Sequence, residues 1–388
     1  MDAIQKLQLL GPLTRYEPTE EVNAVGQSAP PPLTAQELAG CIAHATLPNG
    51  RRVPILKTLA SSFCEMNCRY CAMRAGRDFH REVFIPDELA ALTAHLYNQN
   101  IIRGVFLSSA LMGGGPHTQD RILATGEILR RKYRFAGYVH LKIMPNAERE
   151  QIDAAMRWAD RVSINLEAPN AKRLQELAPR KEFGDALFQR LRWIDELRRE
   201  RQETGRAPSA STQFVVGAVG EPDVELLSTA AYLYHELRLA RTYFSSFSPV
   251  SQTPLEDHEP SSPVREHRLY QASFLLRDYG FDVEELPFAQ DGNLPQHEDP
   301  KLAWAHLHLS QAPIEVNTAD RERLLRIPGI GPLSADRILR ARRQGTLREL
   351  ADLRKLGVPT QRALPFILLD GKQPPRQMTL WPISLPLI

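Results

Sequence analysis

The sequence predicts an α/β fold, a parallel sheet built from strand–helix units, followed by a small all-α unit. Three observations lead there. Between about residues 53 and 249, six short runs rich in β-branched and aromatic residues alternate with segments of helical period. That alternation is the pattern of parallel strands joined by right-handed crossovers. After Pro249 the rhythm stops and turn formers dominate. Near the C-terminus a repeat appears at an offset of 28 residues: LRIPGIGPLSADRIL (325–339) aligns with LRKLGVPTQRALPFI (353–367). Each copy reads helix, tight turn, helix. Periodicity alone leaves open whether the six units form an open doubly wound sheet or a barrel, complete or partial.

The elements follow in order. Residues 1–35 are polar and Pro-rich, an extended arm in which only QKLQLL (5–10) is helical. The expected strands are VPILKTLASS (53–62), GVFLSSA (104–110), GYVHLKIM (137–144), RVSINLE (161–167), STQFVVGAV (211–219) and RTYFSSFSP (241–249). Between them helices are expected over 86–100, 118–133, 146–159, 184–202 and 222–237. The first has Pro86 in its opening turn with acids behind it. A helix over 264–280 ends on Gly280, and FDVEELPF (281–288) reads as a further strand. QDGNLPQHEDP (290–300) is a linker and KLAWAHLHL (301–309) a short helix. The chain thus divides into the arm (1–35), the strand–helix body with its helical extension (36–290), a linker with a short helix (291–313), the repeat domain (314–372) and a tail (373–388).

Composition excludes several classes. The chain has 388 residues, 43% hydrophobic and 24% charged, enough to bury a core. MDAIQKLQLL has an acidic second residue and no long apolar core, so no secretory signal is read, and no apolar run approaches the roughly 18 residues of a spanning helix. The expected location is the cytoplasm, away from any membrane. There thiols stay reduced, and clustered cysteines mean metal or catalysis. Four cysteines do not make a disulfide scaffold.

Three of the four lie within eight residues: Cys64, Cys68 and Cys71, in FCEMNCRYC, with spacing C-x3-C-x2-C on the loop after the first expected strand. Thiolates are soft ligands that suit zinc or iron–sulfur. A structural zinc wants four protein ligands, and neither His80 nor Cys41 supplies an obvious fourth. A three-thiolate [4Fe–4S] cluster instead leaves one iron open. Cys41 reads as a bland thiol.

Functional residues of such sheets lie at the carboxyl ends of the strands. Those ends offer Ser108 and Ser109, then His140 and Lys142, then Ser163, Asn165 and Glu167 in period two, then Gln213, then Ser245 and Ser246. An unpaired buried carboxylate is costly, which favours a role for Glu167.

With Tyr70 as the aromatic of C-x3-C-x-aromatic-C after strand one, the sequence resembles the radical S-adenosylmethionine (SAM) superfamily. The resemblance implies a partial (βα)6 barrel. It implies a [4Fe–4S] cluster on Cys64, Cys68 and Cys71 whose open iron chelates SAM. Reductive cleavage would then give a 5′-deoxyadenosyl radical. SAM would be held by Tyr70, Ser108, Ser109, Ser163, Asn165, Glu167 and Gln213. SSALMGGG departs from the Gly-Gly-Glu stretch usual after strand two. An electron donor such as flavodoxin or ferredoxin is implied. His140 and Lys142 are candidate substrate contacts, and so are Arg265, His267 and Arg268 on the helix after strand six. Arg265 and Arg268, at i, i+3, would share a face and meet phosphates at the barrel mouth.

The segment LLRIPGIGPLSADRILRARR (324–343) resembles a helix-hairpin-helix motif. Gly329, Ile330 and Gly331 let the backbone turn tightly and present N–H groups to a phosphate, and Arg340, Arg342 and Arg343 cluster at the end of its second helix. Residues 314–372 hold 12 Lys and Arg against 7 Asp and Glu, so the formal charge of +2 averages a basic unit with an acidic remainder. Such a unit would hold the DNA backbone without reading its sequence. In the tail, QMTLW (377–381) resembles the peptide by which bacterial repair enzymes bind the sliding clamp, with Gln377, Leu380 and Trp381 as anchors.

From about Ala39 onward the chain resembles a bacterial family of DNA modification and repair radical SAM proteins. Segments such as GYVHLKIMPNA, RVSINLEAPN, LQELAPRK and VNTADRERLLRIPGIG carry the resemblance. The resemblance implies action in DNA repair or base modification and a uracil-DNA-glycosylase-like partner. Two alternatives stand beside it: modification of RNA or of a protein, with the hairpin unit as a docking module, and a non-catalytic iron–sulfur DNA-binding protein. Three cysteines are used by one cluster, so a second thiolate-ligated cluster is not available.

Overall fold

A computed structural model describes residues 1–16, 40–46, 52–202 and 207–375. They form two compact units, Met1–Glu266 and His267–Ile388. In the first unit, strands β1 (Ile42–Thr46), β2 (Arg52–Leu59), β3 (Gly104–Ser108), β4 (Tyr138–Lys142), β5 (Arg161–Ser163), β6 (Ser209–Val216) and β7 (Arg241–Ser246) make one sheet. Spatial order equals chain order. Strands β2 to β7 are all parallel, and β1 pairs antiparallel with β2. The result is a curled, mostly parallel half-barrel. The six parallel strands are those expected, whereas β1 lies in a stretch to which sequence reading assigned nothing.

Parallel strands are covered on both faces and so read as continuous apolar runs. All five residues of β3 are buried, as are seven of the eight in β6. The crossovers are helices α2 (Pro86–Asn98), α3 (Gly115–Arg131), α4 (Arg149–Trp158), α5 (Ala171–Leu177) with α6 (Gln189–Gln202), and α7 (Asp223–His235). The glycine run before α3 has a backbone cause. Gly113 and Gly114 take φ of +71° and +88°. A Cβ on Gly115 would lie 1.7 Å from the Pro145 carbonyl oxygen, so no other residue allows that approach.

All six parallel strands end before the expected limit. The 161–167 run leaves the ladder after Ser163, and Glu167 returns for an isolated bridge to Phe214 with φ +67°. The 241–249 run stops at Ser246. The segment 281–288 is not a strand. Its acids form a capping box on a short 3-10 turn, with Asp282 N–H donating to Glu285 Oε2 at 2.9 Å.

The N-terminal residues are not a free arm. Helix α1 (Ala3–Leu10) is capped by Asp2 and buries Leu7 and Leu10. Lys6 pairs with Glu88 of α2 at 2.8 Å. The Cys41 Sγ donates to the Leu7 carbonyl, and burial pushes the thiol up to about 11, so it stays protonated and inert. Residues 17–35 of the expected arm lie outside the described residues.

Helix α8 (Pro263–Asp278) begins in the first unit and continues in the second. There follow α9 (Pro300–His308), α10 (Arg321–Arg326), α11 (Pro332–Ala341), α12 (Leu350–Lys355) and α13 (Thr360–Ala363). Their shared core includes Ala305, Leu325, Ile330, Ala335, Leu353, Ala363 and Phe366. Equivalent repeat positions are therefore buried alike: Leu325 with Leu353, and Ala335 with Ala363. Gly329 and Gly357 both take left-handed φ, +87° and +80°. One expectation changes. The unit is not all-α, because β8 (Ile314–Glu315) and β9 (Ile367–Leu368) pair in parallel and tie its ends together. The short helix expected over 301–309 is α9, and Ala305 and Leu309 join the same core.

Candidate active site

The site grows from the loop after β2. Its stem is closed by backbone pairing: Ser62 N–H donates to the Glu82 carbonyl at 2.9 Å, and Ser61 bridges Val83 antiparallel. The three cysteines lie between these ends. The loop is tied to its neighbours as well. Glu65 N–H donates to the Leu111 carbonyl at 2.9 Å, and Gly114 N–H donates to the Glu65 carboxylate at 3.0 Å. Arg69 N–H donates to the Leu177 carbonyl at 2.9 Å.

Cys64, Cys68 and Cys71 line one cavity of about 110 Å³ at the carboxyl ends of the strands. Tyr70, Ser108, Ser109, Lys142, Asn165, Glu167 and Gln213 line it too. These seven are the predicted residues that the fold brings to the thiols. Glu167 is buried, and its Oε1 accepts from Lys181 Nζ at 2.7 Å. Its Oε2 is buried without a hydrogen-bond partner among the described residues. Burial pushes this carboxyl up, but the Lys181 ammonium, helped by Lys142 and Tyr70, holds it below the usual range. Burial pushes Lys181 down, and Glu167, with Cys68 and Cys71 beside it, outweighs that and raises it well above its ordinary value. The pair is therefore ionised. The Lys142 ammonium donates to Asn165 Oδ1.

Sequence reasoning did not single out Lys181. It lies 14 residues beyond Glu167, in the loop after α5, a separation with no periodic signature. Only the tertiary fold pairs the two.

Other predicted residues stand elsewhere. Ser163 and His140 are not part of the cavity lining. They bond to each other, His140 Nε2 and Ser163 Oγ at 2.7 Å. Burial first, and then the cations Arg161 and Lys142, push the His140 imidazole well below its usual value, so it stays neutral. Arg265 is held in internal bonds to the loop after β6. Its Nε donates to Asp223 Oδ1 at 2.7 Å and its Nη2 to the Glu221 carbonyl at 2.5 Å, both on buried residues. Arg268 donates to the Gln296 carbonyl at 2.9 Å within the second unit, and His267 is exposed at that unit's start.

In the second unit, Gly329 makes the turn, Ile330 is fully buried and Gly331 caps α11. Arg340 and Arg343 are exposed, but Arg342 is internal, donating to the carbonyls of Val316 (3.2 Å) and Ala319 (2.5 Å). Gln377, Leu380 and Trp381 lie outside the described residues.

A profile described as the radical SAM superfamily matches residues 59–233. An uncharacterized protein of Methanocaldococcus jannaschii is 23% identical over 237 residues, covering 58% of each chain. Among solved structures, methylornithine synthase is similar with TM-score 0.46 and 13% identity, covering 57% of this chain and 61% of that one. The hydrogenase maturase HydG gives 0.45 and 13%, covering 57% and 49%. The methyltransferase TsrM of Kitasatospora setae, solved with cobalamin and a [4Fe–4S] cluster, gives 0.41 and 11%, covering 74% and 60%. This chain covers less than two thirds of the length of each of these relatives.

The superfamily's cofactors are a [4Fe–4S] cluster and SAM, and the residues present fit both. No three His, Cys, Asp or Glu side chains among the described residues converge on a single ion. A cluster asks for something else, because each thiolate binds a different iron and the three must be spread around it. Burial pushes the thiols of Cys68 and Cys71 up, so taking a cluster must release their protons. The same lining suits a zwitterionic nucleoside: Glu167 Oε2 is an unfilled acceptor for hydroxyl or ammonium donors, and Ser108, Ser109, Asn165 and Gln213 add neutral polar groups. When bound, the cofactors would supply the reductive formation of a carbon radical, and the protein would supply position, charge balance and exclusion of water. Lys181 would balance Glu167 and the thiolates of the loaded site with one cation. Lys142 orients Asn165. Residues 59–233 thus match the radical SAM superfamily profile, and the loop of three cysteines lies within that match.

Proposed function

We propose that the enzyme acts on DNA, in repair or base modification. The second unit would hold the nucleic-acid backbone, and the cysteine cavity would carry the radical chemistry. The observation behind this reading is the Gly329-Ile330-Gly331 turn. Left-handed Gly329 and buried Ile330 fix the turn, and Gly331 opens α11, whose first-turn N–H groups have no partner within the helix. Such a helix start attracts phosphate, and Arg340 and Arg343 are exposed on the same helix and just beyond it. The basic excess over 314–372 supports the same reading. A target base would have to leave the stack. The enzyme would also need a one-electron donor such as flavodoxin or ferredoxin. Leu333, 74% exposed on the first turn of α11, favours a second reading in which this turn docks a protein or RNA.

The test is duplex binding by fluorescence anisotropy over a salt series, with Arg340→Gln/Arg343→Gln beside the wild type. Two lost phosphate contacts should lower the slope of log K against log salt by about 1.8. Anaerobic incubation with damaged oligonucleotides, with mass analysis of DNA and SAM products, tests the reaction itself. A salt-independent affinity, or SAM cleavage with unaltered DNA and altered RNA or protein, would decide for the second reading.

A further inference from the structure

We infer that Arg81 is the positioning residue of the cysteine loop, a guanidinium clasp that sets the three thiols before any cluster arrives. Arg81 stands at the neck of the loop, beside the Ser62–Glu82 pairing that closes the stem. Its Nη1 donates to the carbonyls of Ser62 (2.7 Å) and Met73 (3.0 Å), and its Nη2 to those of Arg74 (2.8 Å) and Arg77 (3.1 Å). Ser62 lies two residues before Cys64, and Met73 lies two residues after Cys71. One planar group therefore spans the entry and the exit of the segment that carries all the thiols. Its plane is covered by the Phe79 ring, 4.2 Å from the guanidinium carbon.

The contacts need an arginine. A loop of this kind exposes carbonyls toward its own interior, and no strand or helix satisfies them. The forked guanidinium supplies several donors in fixed directions, and its charge strengthens each bond. A lysine ammonium is a point donor without the fork. Arg77, by contrast, reaches only the Ala72 carbonyl within the loop and otherwise donates to Ser251. Arg77 therefore serves as the control: a neighbouring loop arginine that does not span the cysteines.

The inference rests on the cluster reading but not on the nucleic-acid reading. The test uses the full chain with Arg81→Gln, Arg81→Lys and Arg77→Gln. In the metal-free proteins, hydrogen exchange of amides over 63–75 reports the preset loop. In the reconstituted proteins, cluster loss to a chelator and the electron paramagnetic resonance spectrum of the reduced cluster, with and without SAM, report the thiol positions. Both Arg81 variants should exchange and lose cluster at least about tenfold faster, the factor of one lost charge-assisted hydrogen bond. Their spectra should broaden, and added guanidinium ion should slow the loss in Arg81→Gln. Arg77→Gln should stay near wild type. Wild-type exchange and wild-type cluster loss in both Arg81 variants overturn the inference, and so does equal lability in Arg77→Gln. If Arg81→Gln does not fold, Arg81→Lys decides alone. If the wild type takes up no iron, the cluster reading fails and the metal-free exchange still judges the clasp.

Discussion

Replacing Arg265 with Gln separates two roles for that residue, and the structure sets the size of the effect. Arg265 holds Asp223, which is 1% exposed, through a 2.7 Å hydrogen bond, and its Nη2 lies 3.8 Å from the Glu221 carboxylate, on a residue 2% exposed. Removing the guanidinium leaves two buried carboxylates without this cation, and breaking a buried pair from one side costs about 3–5 kcal/mol. Two features hold the loss to the lower end. Asp223 is the first residue of α7, where the helix start favours a negative charge by about 0.3–1 kcal/mol. Glu221 keeps the Gly217 N–H, at 2.5 Å. The expectation is therefore about 3 kcal/mol, or roughly 6–12 °C in the melting of a unit of this size. The assay is anaerobic thermal unfolding followed by circular dichroism and calorimetry. Asp223→Asn in the same chain should recover part of the loss, because the buried charge goes with its partner. If Arg265→Gln melts within a degree of wild type while weakening substrate binding, the buried-pair reasoning is refuted and Arg265 belongs to a binding face after all.

Two other perturbations probe the cavity and the second unit. Glu167→Gln and Lys181→Met should each weaken SAM binding to the reconstituted enzyme roughly tenfold or more, as expected for hydrogen bonds to charged groups. The double variant should lose less than the two combined, because the residues act as a pair; additive losses in equilibrium dialysis would mean that they act separately. Lys301 is buried, donates to the Ile330 carbonyl at 2.6 Å, and is pushed by burial down to about 7. The unfolded chain, near 10.4, binds that proton more readily. Stability of the second unit should therefore rise between about pH 7 and 10, by up to about 1.4 kcal/mol per pH unit. Urea unfolding read by hydrogen exchange over 301–341 measures it, and a rise equally steep in Lys301→Met would assign it to other groups.

The six parallel strands were legible because each is a short apolar run between helical periods, and burial on both faces makes that pattern hard to mistake. The thiol trio was legible because its ligands come from one loop. The further strand expected over 281–288 was misread because Phe, Val and Leu there mimic a strand while the acids close a turn. Ser163 and Glu167 were placed on one strand face by period-two spacing, but the ladder stops at Ser163, and Glu167, itself left-handed, lines the cavity.

The sequence by itself determined the α/β class, the loop that bears the thiols and the paired repeat near the C-terminus, because those features are written in local spacing. Only the tertiary structure decided which polar residues share the cavity, which arginines are spent on internal bonds, and where the units divide. Arg265 and Arg342 look like surface cations in the text. Burying them against Asp223 or against the carbonyls of Val316 and Ala319 is a matter of long-range packing, and so is bringing Lys181 to Glu167.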